Sequence, residues 1–224
     1  MTNIASAIRE LHEELPSNVK LVAVSKFHPA AAVMEAYRAG QRIFGESRPQ
    51  ELYAKARELP DDIVWHFIGH LQTNKLKLVL PYVSMVESVD SFHLLEAIDR
   101  WGRDNGRITD ILLEMHIASE TTKQGFSKEE LMSAVSLAAS CPNVRISGLM
   151  GMATFTDDEE VIRKDFAKLV AARDEIRAGA GLYPGLPVDF GVLSFGMTHD
   201  YRIAVGMGAD IVRIGTLIFG ERTY

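Results

Sequence analysis

Cysteine is almost missing from this chain of 224 residues, which contains only Cys141. An internal disulfide is therefore excluded, and a cysteine directly before Pro142 in an expected loop is better explained as inert than as a nucleophile. Apolar runs long enough to cross a bilayer are lacking as well, and residues 1–14 carry Arg9 and several glutamates where a signal peptide would have an apolar core. These absences predict a cytoplasmic protein with no membrane partner.

The chain also has no excess of basic residues, because 24 Lys and Arg stand against 30 Asp and Glu and give a formal net charge of -6. Nucleic-acid-binding proteins need a basic surface that displaces counterions from the phosphate backbone, so no nucleic-acid partner is expected. No linker rich in Gly, Ser or Pro interrupts the sequence. We therefore predict one domain over residues 1–224 and, since no apolar stripe is left unused, a monomer.

Short apolar runs alternate with longer amphipathic segments from Leu21 onward. This alternation is typical of a parallel α/β sheet, and eight predicted strands favour a closed (β/α)8 barrel of the TIM type. The predicted strands are residues 20–25, 42–45, 63–68, 83–89, 108–117, 145–149, 189–194 and 211–214. The predicted helices are residues 29–39, 48–58, 71–80, 91–102, 127–139, 157–179 and 199–208. Residues 216–224 are too few for a covering helix, so an extra N-terminal helix over residues 2–15 is expected to complete the ring.

Lys26 ends the first predicted strand, whose sequence is Leu-Val-Ala-Val-Ser-Lys. The ends of barrel strands form the face that carries active sites in this fold, so this side chain is placed to enter a cleft. A lysine that is partly desolvated and close to another cation loses its proton more easily, and the neutral amine attacks aldehydes. The alternative, which this strand taken alone favours, is a solvated lysine at a strand end.

Two glycine-containing segments follow the last two predicted strands, Ser194-Phe-Gly-Met197 and Arg213-Ile-Gly-Thr216. In this fold, the loops after the seventh and eighth strands often form a phosphate site. Small residues let backbone N–H groups approach phosphate oxygens, the hydroxyls of Ser194 and Thr216 add donors, and a helix expected to begin near Thr198 would present its positive end. Glycines that serve turn geometry alone are the alternative. Two such loops in these positions favour an anion site.

Arg213 lies in an otherwise apolar predicted strand, and a buried guanidinium needs an acceptor. The residues alone leave two roles open. One is a contact with the ring nitrogen of a ligand, and the other is an ion pair with a structural carboxylate such as Glu46, Glu114 or Asp210.

His66 and His70 are four residues apart, a spacing that would suit zinc on a helix. The apolar run before Gly69 instead predicts a strand and a turn here. No metal site is therefore expected.

Several motifs extend over nearly the whole chain. They are Ala23-Val-Ser-Lys26, Phe44-Gly-Glu46 with Gln50-Glu51, Trp65-His-Phe-Ile-Gly69 with Leu71-Gln-Thr-Asn-Lys75, Ser147-Gly-Leu-Met150, Leu193-Ser-Phe-Gly-Met197 with Asp200, and Val212-Arg-Ile-Gly-Thr216 with Ile218-Phe-Gly220. With these motifs, residues 19–222 resemble the pyridoxal phosphate homeostasis proteins, small relatives of the alanine racemase barrel domain. The resemblance implies a barrel that binds pyridoxal 5'-phosphate (PLP) and stores or carries it, with PLP-dependent apo-enzymes as candidate recipients.

The resemblance also implies roles for single residues. Lys26 would form a Schiff base with the aldehyde of PLP. Arg213 would face the pyridine nitrogen and keep it unprotonated, which makes the ring a weaker electron sink than in enzymes that place an aspartate there. The implied phosphate-binding residues are Ser194, Gly196, Gly215 and Thr216, with Met197 packed beside them.

Some positions depart from the family pattern. Ser47 replaces the asparagine that usually follows Gly-Glu, and His116 stands where the fifth strand usually has an asparagine. Both are expected to line the pocket, so contacts to the cofactor ring should differ here. Phe27 and His28 replace more usual small and basic residues after the lysine. The pattern also places His66 inside the barrel near the cofactor, with a hydrogen-bonded core histidine as the alternative.

Three functions fit these features. The preferred one is a non-catalytic PLP-binding protein, because racemases of this barrel type have a second β domain that supplies a catalytic tyrosine, and this chain ends soon after the eighth predicted strand. A PLP-dependent enzyme similar to amino-acid racemases is the alternative. A barrel that binds another phosphorylated metabolite would keep the phosphate loops but give Lys26 no covalent role.

Overall fold

A computed structural model describes residues 3–120 and 124–221. Within these residues, eight parallel strands pair in chain order and the first strand closes on the eighth. The predicted (β/α)8 barrel is therefore confirmed. The strands are β1 (Lys20–Val24), β2 (Ile43–Glu46), β3 (Val64–Phe67), β4 (Val83–Val89), β5 (Thr109–Glu114), β6 (Val144–Met150), β7 (Val192–Ser194) and β8 (Ile211–Ile214).

Helices precede and connect the strands on the outside of the barrel. They are α1 (Ile4–Glu14), α2 (Ala30–Arg38), α3 (Pro49–Glu58), α4 (Leu76–Val79), α5 (Phe92–Asn105), α6 (Lys128–Leu137), α7 (Glu159–Ala178), α8 (Tyr201–Gly206) and α9 (Thr216–Phe219). No helix in the two described ranges is both long enough and apolar enough to span a bilayer.

The strands are buried on both faces. Outward-facing residues such as Phe44 and Trp65 pack with the helices in the larger apolar cluster. A smaller cluster, which includes Val22, Leu112 and Met150, fills the inside of the barrel. Parallel strands covered on both faces have nearly continuous apolar sequences, which explains why they could be recognised from the sequence.

Helix α1 completes the outer ring, as predicted, since it packs against both α2 and α9. Asn3 caps its start by accepting a hydrogen bond from Ser6 N at 2.9 Å. At its end, Glu14 accepts from Arg202 Nε at 2.7 Å and from Tyr201 Oη at 3.0 Å. The predicted helix included Thr2, which lies outside the described residues.

Several elements are shorter than predicted, among them α4 and β7. The helix expected over residues 71–80 forms only at Leu76–Val79, after a 3-10 turn, because the backbone is still extended at Gln72. The strand expected over residues 189–194 begins at Val192, because a turn precedes it in which Phe190 N donates to Pro187 O at 3.0 Å.

Candidate cofactor site at the carboxyl end of the barrel

Lys26 lies in a turn directly after β1, at the carboxyl end of the barrel, and is half-buried. Because β1 pairs with β8, the segments that follow these two strands are neighbours. A Cβ atom at Gly215 would lie 3.2 Å from the Val24 carbonyl oxygen, and the rings of His28 and Phe219 stack with their centroids 5.0 Å apart. The fold therefore brings the Lys26 turn against the segment after β8, although the two are at opposite ends of the chain.

The segment after β7 is fixed to the same end of the barrel. Gly196 has φ +96°, and a Cβ atom there would lie 2.5 Å from the Cβ of Ala204, so a larger residue does not fit. Its carbonyl oxygen accepts a hydrogen bond from Arg213 N at 2.9 Å. The Met197 N–H donates to Asp200 Oδ1 at 2.5 Å, so this amide already has an anionic acceptor.

The helix expected to begin near Thr198 starts instead at Tyr201, which corrects one part of the predicted anion site. A turn precedes it, because Tyr201 N donates to Met197 O at 2.9 Å. Asp200 is the N-cap residue of the helix but makes no side-chain capping hydrogen bond, since its carboxylate accepts from Met197 N. Because this carboxylate already occupies the turn, we assign the start of the helix no part in anion binding.

A network of buried polar groups crosses the inside of the barrel, centred on Glu87 of β4. Ser194 Oγ donates to Glu87 Oε2 at 2.5 Å, and Arg213 donates to Ser194 Oγ at 2.5 Å while its terminal nitrogen lies 3.7 Å from Glu87 Oε2. On the other side, His66 Nδ1 lies 2.5 Å from Glu87 Oε1. His66 thus points into the barrel and is hydrogen-bonded there, whereas its place beside the cofactor stays a prediction.

The buried Arg213 has an acceptor, as expected, but its ion-pair partner is Glu87 and not Glu46, Glu114 or Asp210, the candidates named from the sequence. Asp210 instead accepts from Leu193 N at 2.8 Å. The contact of Arg213 with the ring nitrogen of a ligand stays a prediction. Glu87 was not predicted from the sequence, although the sequence contains a signal for it. Glu87 is a carboxylate in a mostly apolar strand, just as Arg213 is a lone charge in its own strand.

Glu87 favours its ionised form despite burial. Burial opposes ionisation of Glu87, but the hydrogen bond with His66, the charges of His66 and Arg213, and the Ser194 hydroxyl outweigh it, so the pKa of Glu87 lies below its ordinary value. Arg213 also donates to the Gly151 carbonyl oxygen at 3.1 Å. A guanidinium has five N–H groups and cannot lose its proton in a protein, so Arg213 acts only as a donor.

Ser47 and His116 also lie just past the carboxyl ends of strands, on the same side of the barrel as Lys26. The backbone of Ser47 packs tightly on Gly69, where a Cβ atom would lie 2.4 Å from Ser47 O. His116 N donates to Phe126 O at 2.9 Å. Both positions are half-buried.

Among residues 3–120 and 124–221, no group of three or more His, Cys, Asp or Glu side chains is arranged to hold a metal ion. His66 lies in β3, whereas His70 lies beyond it and contacts Asp90 at 2.8 Å. Cys141 is buried, and burial together with nearby carboxylates raises the pKa of its thiol. A raised pKa keeps the sulfur in its less reactive thiol form.

Comparisons with known proteins agree with this architecture. Residues 1–223 match the family model of the alanine racemase N-terminal domain. The chain is 39% identical over 206 residues to the pyridoxal phosphate homeostasis protein of Aquifex aeolicus, which covers 92% of this chain and 88% of the relative.

Solved structures give the same result. PipY of Synechococcus elongatus, whose structure has PLP bound, matches with a TM-score of 0.87 at 36% sequence identity and covers 97% of this chain and 100% of that chain. Alanine racemase of Bartonella henselae matches with a TM-score of 0.74 over 98% of this chain and 59% of that chain, and at 16% identity this likeness shows the barrel fold alone. The chain therefore belongs to the alanine racemase N-terminal domain family and, within it, to the pyridoxal phosphate homeostasis proteins.

Proposed function

We propose that this protein binds PLP at the carboxyl end of its barrel, with Lys26 as the attachment point, and that it serves PLP homeostasis as a carrier or reservoir. The observation that carries the proposal is the contact between the Lys26 turn and the segment after β8, where Gly215 packs on Val24. This contact supports a site in which the Lys26 amine lies beside a segment suited to a phosphate. PipY, which shares 36% of its sequence with this chain and has PLP bound, supports the assignment.

The residues at this end of the barrel fit the aldehyde, the phosphate and the ring of PLP. When bound, PLP supplies an aldehyde that condenses with a neutral primary amine, forming a C=N bond and releasing one water. Lys26 is the amine that we assign to this bond. For the phosphate we assign Gly196, Gly215 and Thr216, with Met197 packed beside them. The N–H groups of Thr216 and Leu217 open α9 and so have no acceptor within that helix.

We assign Ser194 a different part from the one that the resemblance implies. Its hydroxyl is fully buried and already lies between Glu87 and Arg213. It could reach a phosphate oxygen only by giving up one of these contacts. We therefore propose that the Ser194 hydroxyl orients Arg213, while Ser47 and His66 line the side of the pocket that faces the ring.

The same contacts support a binding role without turnover. Arg213 acts only as a donor and is held by Glu87 and Ser194. A ring nitrogen that accepts from Arg213 stays unprotonated, and an unprotonated ring withdraws electrons weakly from a substrate carbanion. We therefore propose that the protein does not catalyse reactions of amino acids.

Loss of deuterium from α-deuterated alanine tests this point directly. The purified protein with PLP is expected to exchange the label no faster than free PLP at the same concentration. Mass spectrometry of the alanine over time measures the exchange. Exchange clearly faster than that of free PLP would instead favour the racemase-like alternative.

Borohydride reduction tests the attachment site, because it converts a C=N bond into a stable C–N bond. After reduction and proteolysis of the PLP-loaded protein, the label is expected on the peptide that contains Lys26. Lys26→Ala should remove this label, whereas Lys164→Ala, which removes an exposed lysine of α7, should keep it. An unlabelled wild-type protein would leave a non-covalent phosphate ligand as the explanation. A label that persists on another lysine in Lys26→Ala would show that Lys26 is not the attachment point.

The proposal extends to a cytoplasmic monomer whose recipients are PLP-dependent apo-enzymes. One chain has a mass of 24.8 kDa, so light scattering during gel filtration tests the monomer directly. For delivery, the loaded protein would be mixed with an apo-aminotransferase and the activity recovered would be followed over time. Recovery no faster than that caused by the free PLP in the sample would argue against delivery.

A further inference from the structure

We infer that the buried ion pair between Lys55 of α3 and Glu46 of β2 positions the Lys26 turn for its reaction with an aldehyde. This inference rests on the proposed attachment of PLP to Lys26. It assigns a positioning role, not a catalytic one, because neither side chain is placed to bond to the reacting atoms.

Both members of the ion pair contact the residue before Lys26. Lys55 Nζ donates to Glu46 Oε1 at 2.6 Å and to the Ser25 carbonyl oxygen at 2.8 Å. The Ser25 hydroxyl donates to the same Glu46 oxygen at 2.7 Å. Ser25 and Glu46 are fully buried, and the Lys55 side chain is 8% exposed. Ser25, the residue before Lys26, is therefore held by two hydrogen bonds to this ion pair, one through its carbonyl oxygen and one through its hydroxyl, in a region that excludes water.

The residue after Lys26 is held by the same helix. Glu51 Oε2 accepts from Phe27 N at 2.8 Å and lies 3.6 Å from Lys55 Nζ. Arg48 donates to the other oxygen of Glu51 at 3.1 Å, and its guanidinium lies 5.0 Å from the centre of the Phe27 ring. Helix α3 thus contacts the chain on both sides of Lys26.

The backbone conformation of Phe27 shows why such contacts are needed. Its φ is +67°, which is unfavourable for a residue with a Cβ atom and persists only where surrounding contacts impose it. The Phe27 side chain is 43% exposed, so burial of the ring does not impose this conformation. The hydrogen bond from Phe27 N to Glu51 is one contact that holds this conformation, together with the bond from His28 N to Ser25 O at 3.1 Å, and the direction of Lys26 depends on the conformation of this turn.

Stability alone does not explain the ion pair. Buried ion pairs are often no more stabilising than apolar residues of similar size, because both charges must be removed from water. Here the second oxygen of Glu46 is buried without a hydrogen-bond partner among the described residues. The pair is therefore imperfect as a stabilising feature, while each of its members makes a directed contact with Ser25.

A comparison of two ligands separates a loss of Lys26 positioning from general damage to the binding site. PLP forms the bond to Lys26, whereas pyridoxine 5'-phosphate has an alcohol in place of the aldehyde and binds only through its ring and phosphate. The double variant Lys55→Met/Glu46→Gln removes the ion pair without stranding a buried charge. We expect it to bind PLP about tenfold more weakly and to attach it more slowly, while its affinity for pyridoxine 5'-phosphate stays within about twofold of the wild type.

Absorption spectra and stopped-flow mixing with the full chain measure both effects. Lys164→Met, the same change at an exposed lysine, is the matched control, and Lys55→Arg should restore part of the attachment rate. Unchanged PLP binding in the double variant, or an equal loss of both ligands, would overturn the positioning role. A wild-type protein that never attaches PLP would instead refute the proposed function.

A milder variant keeps the inference testable if the double variant fails to fold. Glu51→Gln leaves the Lys55–Glu46 pair intact, weakens the acceptor for Phe27 N, and removes the charge that faces Arg48 and Lys55. It should slow attachment of PLP and leave binding of pyridoxine 5'-phosphate unchanged. Equal attachment rates in Glu51→Gln and the wild type would contradict the role of the contact between α3 and Phe27.

Discussion

Glu87→Gln is expected to lower the free energy of unfolding by about 3–5 kcal/mol, the usual cost of breaking a buried ion pair from one side. The substitution keeps the shape of the side chain but removes its charge. Arg213 is only 4% exposed and stays cationic, so it would remain buried without its counter-charge. Urea denaturation at pH 7 measures the loss.

Two controls test whether the loss of stability comes from the buried ion pair between Glu87 and Arg213. Glu96→Gln removes an exposed carboxylate that lies 3.7 Å from Arg100, and it should cost less than about 1 kcal/mol. Glu87→Leu combined with Arg213→Met removes both buried charges and should recover much of the loss, which would identify the pair as the source. A Glu87→Gln variant as stable as the Glu96→Gln variant would show that the network does not depend on this charge.

The elements buried on two faces could be predicted best. The bounds of β4 and β8 agree with the prediction because their apolar runs end where burial ends. Segments with irregular backbone could not be predicted from apolar periodicity. The short α8 is an example, since a turn held by the carboxylate of Asp200 replaces its expected first residues.

The position of the candidate site could be predicted from the sequence, but the hydrogen bonds and ion pairs between its residues could not. Lys26 and Arg213 stood out because each is a charge at or in an apolar strand. Lys55 did not, because a lysine on an amphipathic helix is normally solvated, and only the position of Glu46 beneath α3 causes it to be buried. The partner of Arg213 was missed for a similar reason, since closure of the barrel decides which strands face each other across its interior.

The pKa values of two buried carboxyl groups near Arg213 are shifted in opposite directions. Hydrogen bonds and nearby cations lower the pKa of Glu87 in spite of its burial. For Glu114, at the end of β5, burial raises the pKa to about 7, the charge of Asp90 adds to this rise, and the charges of Arg213 and His70 oppose it. Near neutral pH, Glu87 is therefore ionised while Glu114 holds its proton in a large fraction of the molecules.

Glu114 should consequently make stability depend on pH. Its folded-state pKa lies above its unfolded value of 4.5, so its stabilising contribution is complete below about pH 4.5 and is lost as the pH rises through about 7. A rise of this size corresponds to about 3 kcal/mol. Glu114→Gln stays neutral, so the variant should match the wild type at pH 4.5 and be more stable by up to about 3 kcal/mol at pH 8.

Urea denaturation of both proteins in the absence of PLP, in steps from pH 4.5 to pH 8, measures the difference. Asp110→Asn is a suitable control because Asp110 is on the same strand but is partly exposed and paired with Arg145 at 2.9 Å. Its effect should be small, since partly exposed ion pairs contribute little. If the curves of Glu114→Gln and the wild type ran parallel over this range, the pKa of Glu114 in the folded protein would equal its unfolded value of 4.5. The interior of the barrel would then hold a second negative charge beside that of Glu87 at neutral pH.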